Sequence, residues 1–403
     1  MPGTLLLIGT LDTKGAEFAY ARDLIHERGH RTLVMDGGVL YDPPFTPDVG
    51  AAEVADAGGS ALETLRRQAD RGQALDVMIR GVCVLAERLY EQGRIDGVLG
   101  LGGSGGTALA TAAMRALPVG LPKVMVSTLA SGDVAPYVGV KDVTMTYSVV
   151  DIAGLNRISR RIIANAVGAV CGMVEQTVPE AEDRPLIATT MFGVTTPCLD
   201  RVRERLEAEG YEVLVFHATG SGGRAMEALI DSGFIAGVAD VTTTEWCDEL
   251  VGGVLSAGPH RLEAAARAGL PQVVSCGALD MVNFWAVDTV PEPFKNRTLY
   301  RHNANVTLMR TTPDECAALG RIIAEKLNRA TGPTTLLIPL QGVSAIDRDG
   351  QPFHDPAADA ALFQALRDHL DASVTRVELD LHINDPAFAD AIAERLLDHL
   401  AQR

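Results

Sequence analysis

A strand–helix–strand pattern occurs twice in this chain, and this repetition limits the fold more than any other feature. An apolar run at 5–9 is followed by a helical pattern that ends at Gly29 and by a second apolar run at 32–35. The pattern returns 181 positions later, where Gly210 takes the place of Gly29. Short apolar runs beside helical patterns are typical of buried parallel strands. The repetition predicts an α/β protein with two similar, doubly wound, mostly parallel-sheet (Rossmann-like) domains.

The length of 403 residues suits two such domains. The polar, acidic segment 176–185 lies between the two halves and contains two prolines, as linkers commonly do. We therefore expect a nucleotide-binding domain at 1–178 and a second domain, for a small anion or substrate, at 185–403. Further strands are expected at 96–101, 124–128, 235–239, 272–275, 335–339 and 374–380.

Composition excludes several classes of protein. With 47% hydrophobic and 22% charged residues, the chain is a well-packed globular protein and not a disordered one. The net charge of −17 argues against an extended nucleic-acid surface, which needs clustered Lys and Arg. The six cysteines lack the close pairs of a zinc site, so no metal ligands are assigned. Without a recognisable signal peptide or membrane span, we expect a cytoplasmic protein with no membrane partner.

The glycine-rich segment 100–107 follows an apolar strand and precedes a helical run. The backbone N–H groups of such a loop, together with the helix N-terminus, can bind phosphate oxygens. The segment lacks the later acidic residue of a dinucleotide fingerprint and the Gly-Lys-Ser/Thr ending of a P-loop. The alternative is a tight turn that lets helix and strand pack closely. The candidate phosphate-binding residues are Gly103, Ser104, Gly105, Gly106 and Thr107.

Further candidates for the same cleft stand at the ends of neighbouring strands, where open α/β folds bind ligands. Lys14 could neutralise phosphate, Thr13 could donate to an oxygen, and Asp12 could hold Mg²⁺ or a water. Asp36 could accept from ribose hydroxyls. Helix caps, a solvated lysine and a turn-forming Asp-Gly are the alternative explanations. Arg80, Gly81 and Thr128 complete the candidate set.

A second glycine loop follows the strand at 213–216 and predicts a second anion site. It consists of Gly220, Ser221, Gly222, Gly223 and Arg224, where the arginine would add charge to the helix N-terminus. A simple glycine turn is the alternative.

Four residues of the second half are candidates for catalysis. His260 could act as acid or base, and Arg261 could hold an anion. Cys276 stands at a strand end where a helix dipole could lower a thiol pKa, and Asp280 follows it closely. The alternatives are a histidine satisfied by the backbone and a small buried cysteine.

Together these motifs resemble one protein family. It joins the ATP-binding N-terminal region of the tomato mosaic virus-resistance protein to bacterial homologues known only as an uncharacterised protein family. The resemblance is carried by segments 9–15, 102–107, 247–261, 274–280 and 339–342. It implies two α/β domains, self-association into dimers or higher homo-oligomers, and ATP bound in the first domain at the residues already assigned there. The plant relative has a further barrel domain, so a separate barrel-domain protein is a candidate partner.

The leading hypothesis is an ATP-binding protein, with Mg²⁺ as an optional companion, that also acts on a small anionic metabolite in the second domain. One alternative is a non-catalytic regulatory module whose dimer or partner interface is controlled by ATP. Another is a nicotinamide-dependent enzyme. Whether the chain is an enzyme at all is left open by the sequence.

Overall fold

The computed structural model describes residues 2–179 and 183–402. The chain divides into two compact units, Met1–Glu180 and Ala181–Arg403. Part of the expected linker, residues 180–182, lies outside the described residues. Each unit is built on a parallel sheet with helices on both faces, so the predicted α/β, Rossmann-like fold class is confirmed. None of the described helices is long and apolar enough to cross a membrane.

The first unit contains a five-stranded sheet in which every neighbouring pair is parallel. Its strands are β1 (Thr4–Gly9), β2 (Arg31–Asp36), β3 (Gly97–Gly102), β4 (Lys123–Ser127) and β5 (Thr144–Tyr147). Its helices are α1 (Leu11–Glu27), α2 (Ala51–Ala57), α3 (Leu62–Gln68), α4 (Arg71–Glu91), α5 (Ser104–Ala116), α6 (Ala135–Val138) and α7 (Arg157–Glu175). The strand order is β2-β1-β3-β4-β5. The chain adds β2 on one side of β1 and then crosses to add β3, β4 and β5 on the other side, so the direction of strand addition reverses between β1 and β3.

Burial on both faces explains why β1 is a continuous apolar run. Leu6 and Ile8 pack into a core formed with α2, α4 and α5. Leu5 and Leu7 point to the opposite face and pack with α1 and α7. Because side chains alternate along a strand, a strand covered on both faces needs apolar residues at every position.

The second unit contains a six-stranded parallel sheet and a small antiparallel sheet. Its strands are β6 (Leu186–Met191), β7 (Glu212–His217), β8 (Ile235–Thr242), β9 (Gln272–Gly277), β10 (Met281–Phe284), β11 (Leu299–Arg301), β12 (Thr307–Arg310), β13 (Thr334–Pro339) and β14 (Thr375–Leu379). Its helices are α8 (Thr196–Ala208), α9 (Ser221–Asp231), α10 (Glu245–Val251), α11 (Ala264–Ala268), α12 (Pro313–Leu327), α13 (Pro356–His369) and α14 (Pro386–Ala401).

The large sheet of this unit has the order β14-β13-β9-β8-β6-β7, which repeats the reversal of the first unit, now between β6 and β8. The small sheet, ordered β10-β12-β11, is not anticipated by the sequence pattern. Its strands are only three or four residues long, too short to show a clear period.

Helices α2 and α4 cross closely at two of the residues that were candidates for the ligand cleft. A Cβ on Gly81 would lie 1.9 Å from the carbonyl oxygen of Val54, so only glycine fits there. The neighbouring Arg80 donates from Nε to the carbonyl oxygen of Gly58 at 3.2 Å. Arg80 and Gly81 therefore shape a helix crossing and do not line the ligand cleft described below.

The two glycines Gly81 and Gly168 give a matched test of this crossing. Gly81→Ala should lower the free energy of unfolding by at least about 2 kcal/mol, because the new methyl group collides with backbone. Gly168→Ala, inside α7 with open space around it, should raise it by about 0.5–1 kcal/mol through helix propensity. Denaturant unfolding followed by circular dichroism measures both. Equal effects of the two substitutions would contradict this account of Gly81.

Candidate functional site

A cleft of about 750 Å³ opens in the first unit at the carboxyl ends of β1 and β3. This is the place where the strand order reverses, and the loops that leave the two strands there diverge to opposite faces of the sheet. The segment after β1 contributes Thr10, Asp12, Thr13 and Lys14, and the segment after β3 contributes Gly103 to Gly106.

The loop after β3 brings backbone N–H groups to the cleft. Helix α5 begins directly after Gly103, whose backbone is extended. As the N-cap residue, this glycine has no side chain that could accept a hydrogen bond from the first N–H groups of the helix. A Cβ on Gly102 would lie 2.8 Å from the Cα of Gly106, so the turn closes this tightly only with glycine. The first N–H groups of a helix have no partner within the helix. They are thus available to an anion in the cleft.

Two cations face the same space without a carboxylate partner among the described residues. Lys14 interrupts the first turn of α1 with a non-helical backbone (φ −127°, ψ 17°). Arg71 is the first residue of α4, and its Nη2 lies 4.0 Å from the position that a Cβ on Gly105 would take. A third cation, Arg66, is engaged with the carbonyl oxygen of Val39 and the carboxylate of Asp42. Three cations thus line the cleft, and no described carboxylate forms an ion pair with Lys14 or Arg71.

Carboxylates at the cleft are few and partly engaged. Asp12 accepts through Oδ2 from the N–H of Leu40 at 2.8 Å, whereas its Oδ1 is buried and has no hydrogen-bond partner. Asp70 caps α4 by accepting from the N–H of Gln73. Asp151 lines the cleft from the segment between β5 and α7. In the described part of the chain, no group of three or more His, Cys, Asp or Glu could hold a metal ion.

These carboxylates fit a magnesium ion that arrives with a phosphate ligand. Such an ion needs only one or two protein carboxylates, because phosphate oxygens and waters complete its octahedron. The unpartnered Oδ1 of Asp12 is the protein atom best suited to this role.

One wall of the cleft is apolar. It is formed by α3 and the first turns of α4, through the side chains of Leu65, Ala74, Leu75 and Met78. A wall of this kind can bury a planar ring, whereas the glycine loop and cations suit the charged part of a ligand.

The structure brings most of the predicted residues of the first unit together. Those that line the cleft are Asp12, Thr13, Lys14, Gly103, Ser104, Gly105, Gly106 and Thr128. Sequence reasoning missed Arg66, Arg71, Asp151 and the apolar wall. Arg71 carries one local signal, since a cation at the first position of a helix opposes the helix dipole. The wall carries none, because its residues also serve the core.

Two predicted residues are buried behind the cleft and have structural roles. The Oδ1 atom of Asp36 accepts from the N–H groups of Leu11 and Gly38 at 3.0 and 2.8 Å, and the residue is 1% exposed and does not line the cleft. Burial raises its pKa to about 6. Thr107 is fully buried and its hydroxyl pairs with that of Ser127 at 2.7 Å. The structure thus places both residues, like Arg80 and Gly81, outside the lining of the cleft.

The second glycine loop is occupied by the protein itself. The carboxylate of Glu245 accepts from the N–H groups of Gly220 and Gly223 at 2.7 and 3.0 Å, at the start of α9. A Cβ on Gly223 would lie 2.1 Å from that carboxylate, which shows how closely it is held. Gly222 packs against the carbonyl oxygen of His217. The predicted second anion site, which also included Ser221 and Arg224, is therefore closed by an internal anion; both of those residues are exposed.

Arg261 belongs to the same closed network. Its guanidinium is fully buried and donates to Glu245 at 2.7 Å and to both carboxylate oxygens of Asp240. Glu227 lies 3.4 Å away and also accepts from the N–H groups of Leu262 and Ala264. The fifth N–H of the guanidinium faces the carbonyl oxygen of Thr242 at 3.5 Å, so each of its five donors has a partner within the protein.

The other catalytic candidates are not assembled into a site. The side chain of His260 is exposed and its Nδ1 lies 2.9 Å from Glu263. Burial raises the pKa of Cys276 to about 12, the opposite of what a nucleophilic thiol requires. Asp280 is fully buried, with its Oδ2 accepting from the hydroxyl of Ser344 at 2.7 Å. These surroundings give no support to a catalytic role for His260, Arg261 or Cys276, and Asp280 is fully buried.

Asp280 belongs to a buried cluster in which carboxyls outnumber cations. Arg310 is the cation, and its Nη2 donates to Asp359 at 2.6 Å and lies 3.5 Å from Asp347. The Oδ1 atoms of Asp280 and Asp347 have no hydrogen-bond partner. Burial, followed by the charge of Asp347, raises the pKa of Asp280 to about 8. Burial also raises the pKa of Asp347 and of Asp359.

Comparison with known proteins decides the family. Models of the N-terminal and C-terminal domains of the uncharacterised protein family UPF0261 match residues 3–179 and 184–400. A UPF0261 protein of Clostridium tetani is 55% identical over 98% of this chain and 98% of its own length. The chain belongs to the UPF0261 family. The ToMV resistance protein Tm-1(GCR237) of Solanum lycopersicum is 44% identical over 83% of this chain and 46% of its own length, so the resemblance inferred from the motifs is confirmed.

Solved structures add little to this assignment. The match with the glycosyltransferase SnogD of Streptomyces nogalater covers 99% of this chain and 100% of the SnogD chain, at 13% sequence identity and a TM-score of 0.21. A similarity this low carries no argument about function.

The closed loop of this UPF0261 protein predicts a chemical rescue. Glu245→Ala should lower the free energy of unfolding by about 3–5 kcal/mol, because it leaves two N–H groups and one guanidinium N–H without an acceptor. Sodium formate should raise the melting temperature of Glu245→Ala more than that of the parent, since formate can replace the lost carboxylate. Sodium chloride at equal ionic strength is the control. If formate raised the melting temperatures of parent and variant equally, Glu245 would not be the anion that the N–H groups of this loop require.

The buried acid cluster predicts a pH dependence with a defined sign. A carboxyl that keeps its proton when folded but ionises at about 3.8 when unfolded lowers stability as pH rises from about 4 to about 8. Asp280→Asn removes this component. The melting temperature of Asp280→Asn relative to the parent should therefore increase between about pH 5 and about pH 8.

Differential scanning fluorimetry across this pH range measures the effect. Asp349→Asn, at an exposed aspartate of the segment after β13, is the matched control. If the difference between Asp280→Asn and parent stays constant with pH, Asp280 does not hold a proton in the folded protein.

Proposed function

We propose that this UPF0261 protein binds ATP in the cleft of its first unit. The observation that carries the proposal is the pairing, in one cleft, of a glycine-bounded helix N-terminus with two cations that lack carboxylate partners among the described residues. Cations without counter-charges are costly to hold close together and are favoured where an anion binds. The phosphate chain would lie across the N–H groups of Ser104 to Gly106, between Lys14 and Arg71.

The apolar wall supports a nucleoside rather than an inorganic anion. Val39, Leu40 and Leu75, in front of the buried Leu65, Ala74 and Met78, offer apolar surface that a purine ring can cover. The volume of about 750 Å³ lies within the range of pockets that bind molecules of nucleotide size. When a magnesium ion accompanies the nucleotide, it neutralises phosphate charge, and Asp12 is the residue that would hold it.

A nicotinamide dinucleotide is a weaker candidate than ATP as the ligand of this cleft. Dinucleotide folds hold the adenosine ribose with a carboxylate at the end of the second strand. Here that position is Asp36, which is buried and already accepts from two backbone N–H groups. ATP needs no such carboxylate.

A non-catalytic regulatory module is favoured over an enzyme acting on an anionic metabolite. The anion loop of the second unit is closed by Glu245, and Arg261 is saturated with carboxylates. The proposal therefore places nucleotide binding in the first unit and assigns no substrate to the second. Control of a homodimer or of a barrel-domain partner by ATP, in the cytoplasm where ATP is abundant, is the role that the family resemblance suggests.

Isothermal titration with ATP and Mg²⁺ tests the proposal. The parent should bind ATP, and Ser104→Trp should abolish binding because an indole would fill the space above the α5 N-terminus. Ser221→Trp is the matched control: it changes the exposed serine at the start of α9, next to the closed loop, and should bind ATP as the parent does. Absence of heat with the parent, or equal loss in both variants, would remove the proposal.

Product analysis of the same titration separates the module from an enzyme. A regulatory module should leave ATP intact while nucleotide shifts the molecular mass measured by light scattering. Release of ADP in proportion to the protein would instead favour an enzyme.

A further inference from the structure

We infer that Arg71 makes the cleft selective for nucleotides with a long phosphate chain, so that ATP binds in preference to AMP. This inference rests on the proposed function and names one specificity-determining residue of the site. Arg71 was not anticipated from the sequence, and it lines the cleft from the start of α4.

Arg71 stands where a cation is unfavourable for the folded protein. It is the first residue of the 21-residue helix α4, whose first turn contains no acidic residue. The positive end of the helix dipole therefore faces the guanidinium. The only nearby compensation on α4 is its N-cap, Asp70, whose Oδ1 is already used by the N–H of Gln73. No described carboxylate forms an ion pair with Arg71.

The group that Arg71 faces increases this cost. Its Nη2 lies near Gly105, in the first turn of α5, which is a second helix N-terminus without an acidic residue. Lys14, in the first turn of α1, lines the same cleft. Two cations and two positive helix ends thus converge on one space. Asp12, Asp70 and Asp151 line the same cleft but form no ion pair with either cation, so negative charge that enters the cleft is expected to relieve this arrangement.

The relief grows with the charge of the ligand. A monophosphate satisfies the N–H groups of the glycine loop and one cation. A triphosphate extends further and carries more charge, so it can contact both Lys14 and Arg71. The exposed position of Arg71 at the rim fits the outer part of such a chain. The glycine loop consequently binds any ligand that carries a phosphate, whereas Arg71 adds affinity only for ligands with a longer phosphate chain.

This arrangement predicts opposite effects of one substitution on stability and on binding. Without ligand, Arg71→Gln should raise the melting temperature by about 1–3 °C, because it removes the repulsion from two helix ends. With ligand, the same substitution should weaken ATP binding by at least about tenfold, ADP less, and AMP by less than about threefold. A residue with only a structural role would not give both signs.

Arg67→Gln is the matched control. Arg67 is an exposed arginine in the last turn of α3, where a cation is favourable for the helix, and it does not line the cleft. Its substitution should not raise the melting temperature and should leave the ratio of ATP to AMP affinity unchanged.

The experiment measures melting temperature without ligand and titrates parent, Arg71→Gln and Arg67→Gln with ATP, ADP and AMP at fixed ionic strength. A graded loss confined to Arg71→Gln, with a raised melting temperature, supports the inference. Equal losses for the three nucleotides would overturn it while leaving ATP binding intact. If the parent binds none of them, the proposed function itself fails. Inorganic tripolyphosphate, added as a probe without a base, should then show whether the cleft recognises the phosphate chain alone.

Discussion

The N–H groups at the start of a helix that follows a parallel strand need an acceptor, and the two units of this chain meet that need differently. In the second unit Glu245 supplies the acceptor at Gly220 and Gly223, and Arg261 fixes the carboxylate in place. In the first unit no described side chain caps α5. A glycine-rich helix N-terminus is therefore part of a closed structural network in one unit and lines an open cleft in the other.

This difference explains why the sequence predicts the fold better than the site. The strands are continuous apolar runs because both faces of each sheet are covered, and such runs are visible without any knowledge of contacts. The two glycine loops look alike in sequence, since each places Ser-Gly-Gly at a helix start. What separates them is a residue more than twenty positions further along, Glu245, whose carboxylate reaches back only in the folded chain.

The same limit explains why some predicted residues lie outside the cleft and some residues of the cleft were not predicted. Asp36 and Thr107 stand at strand and helix ends, as binding residues often do, but they face inward and satisfy backbone and side-chain groups behind the cleft. Arg71 and Met78 lie on α4, far in sequence from either loop, and reach the cleft only through the packing of that helix. Motifs record which residues follow a strand; they do not record which helices cover its end.

Charge distribution gives the two units their different character. The second unit encloses Arg261 and Arg310 among carboxylates, and in the Arg310 cluster the acids exceed the base, so protons must supply the balance. At the cleft of the first unit, no described carboxylate forms an ion pair with Lys14 or Arg71, and both cations stand near helix N-termini. A chain with a net charge of −17 has carboxylates to spare for pairing every cation. That these two are left unpaired is a local cost in stability, and such a cost is typical of a surface that is completed by its ligand.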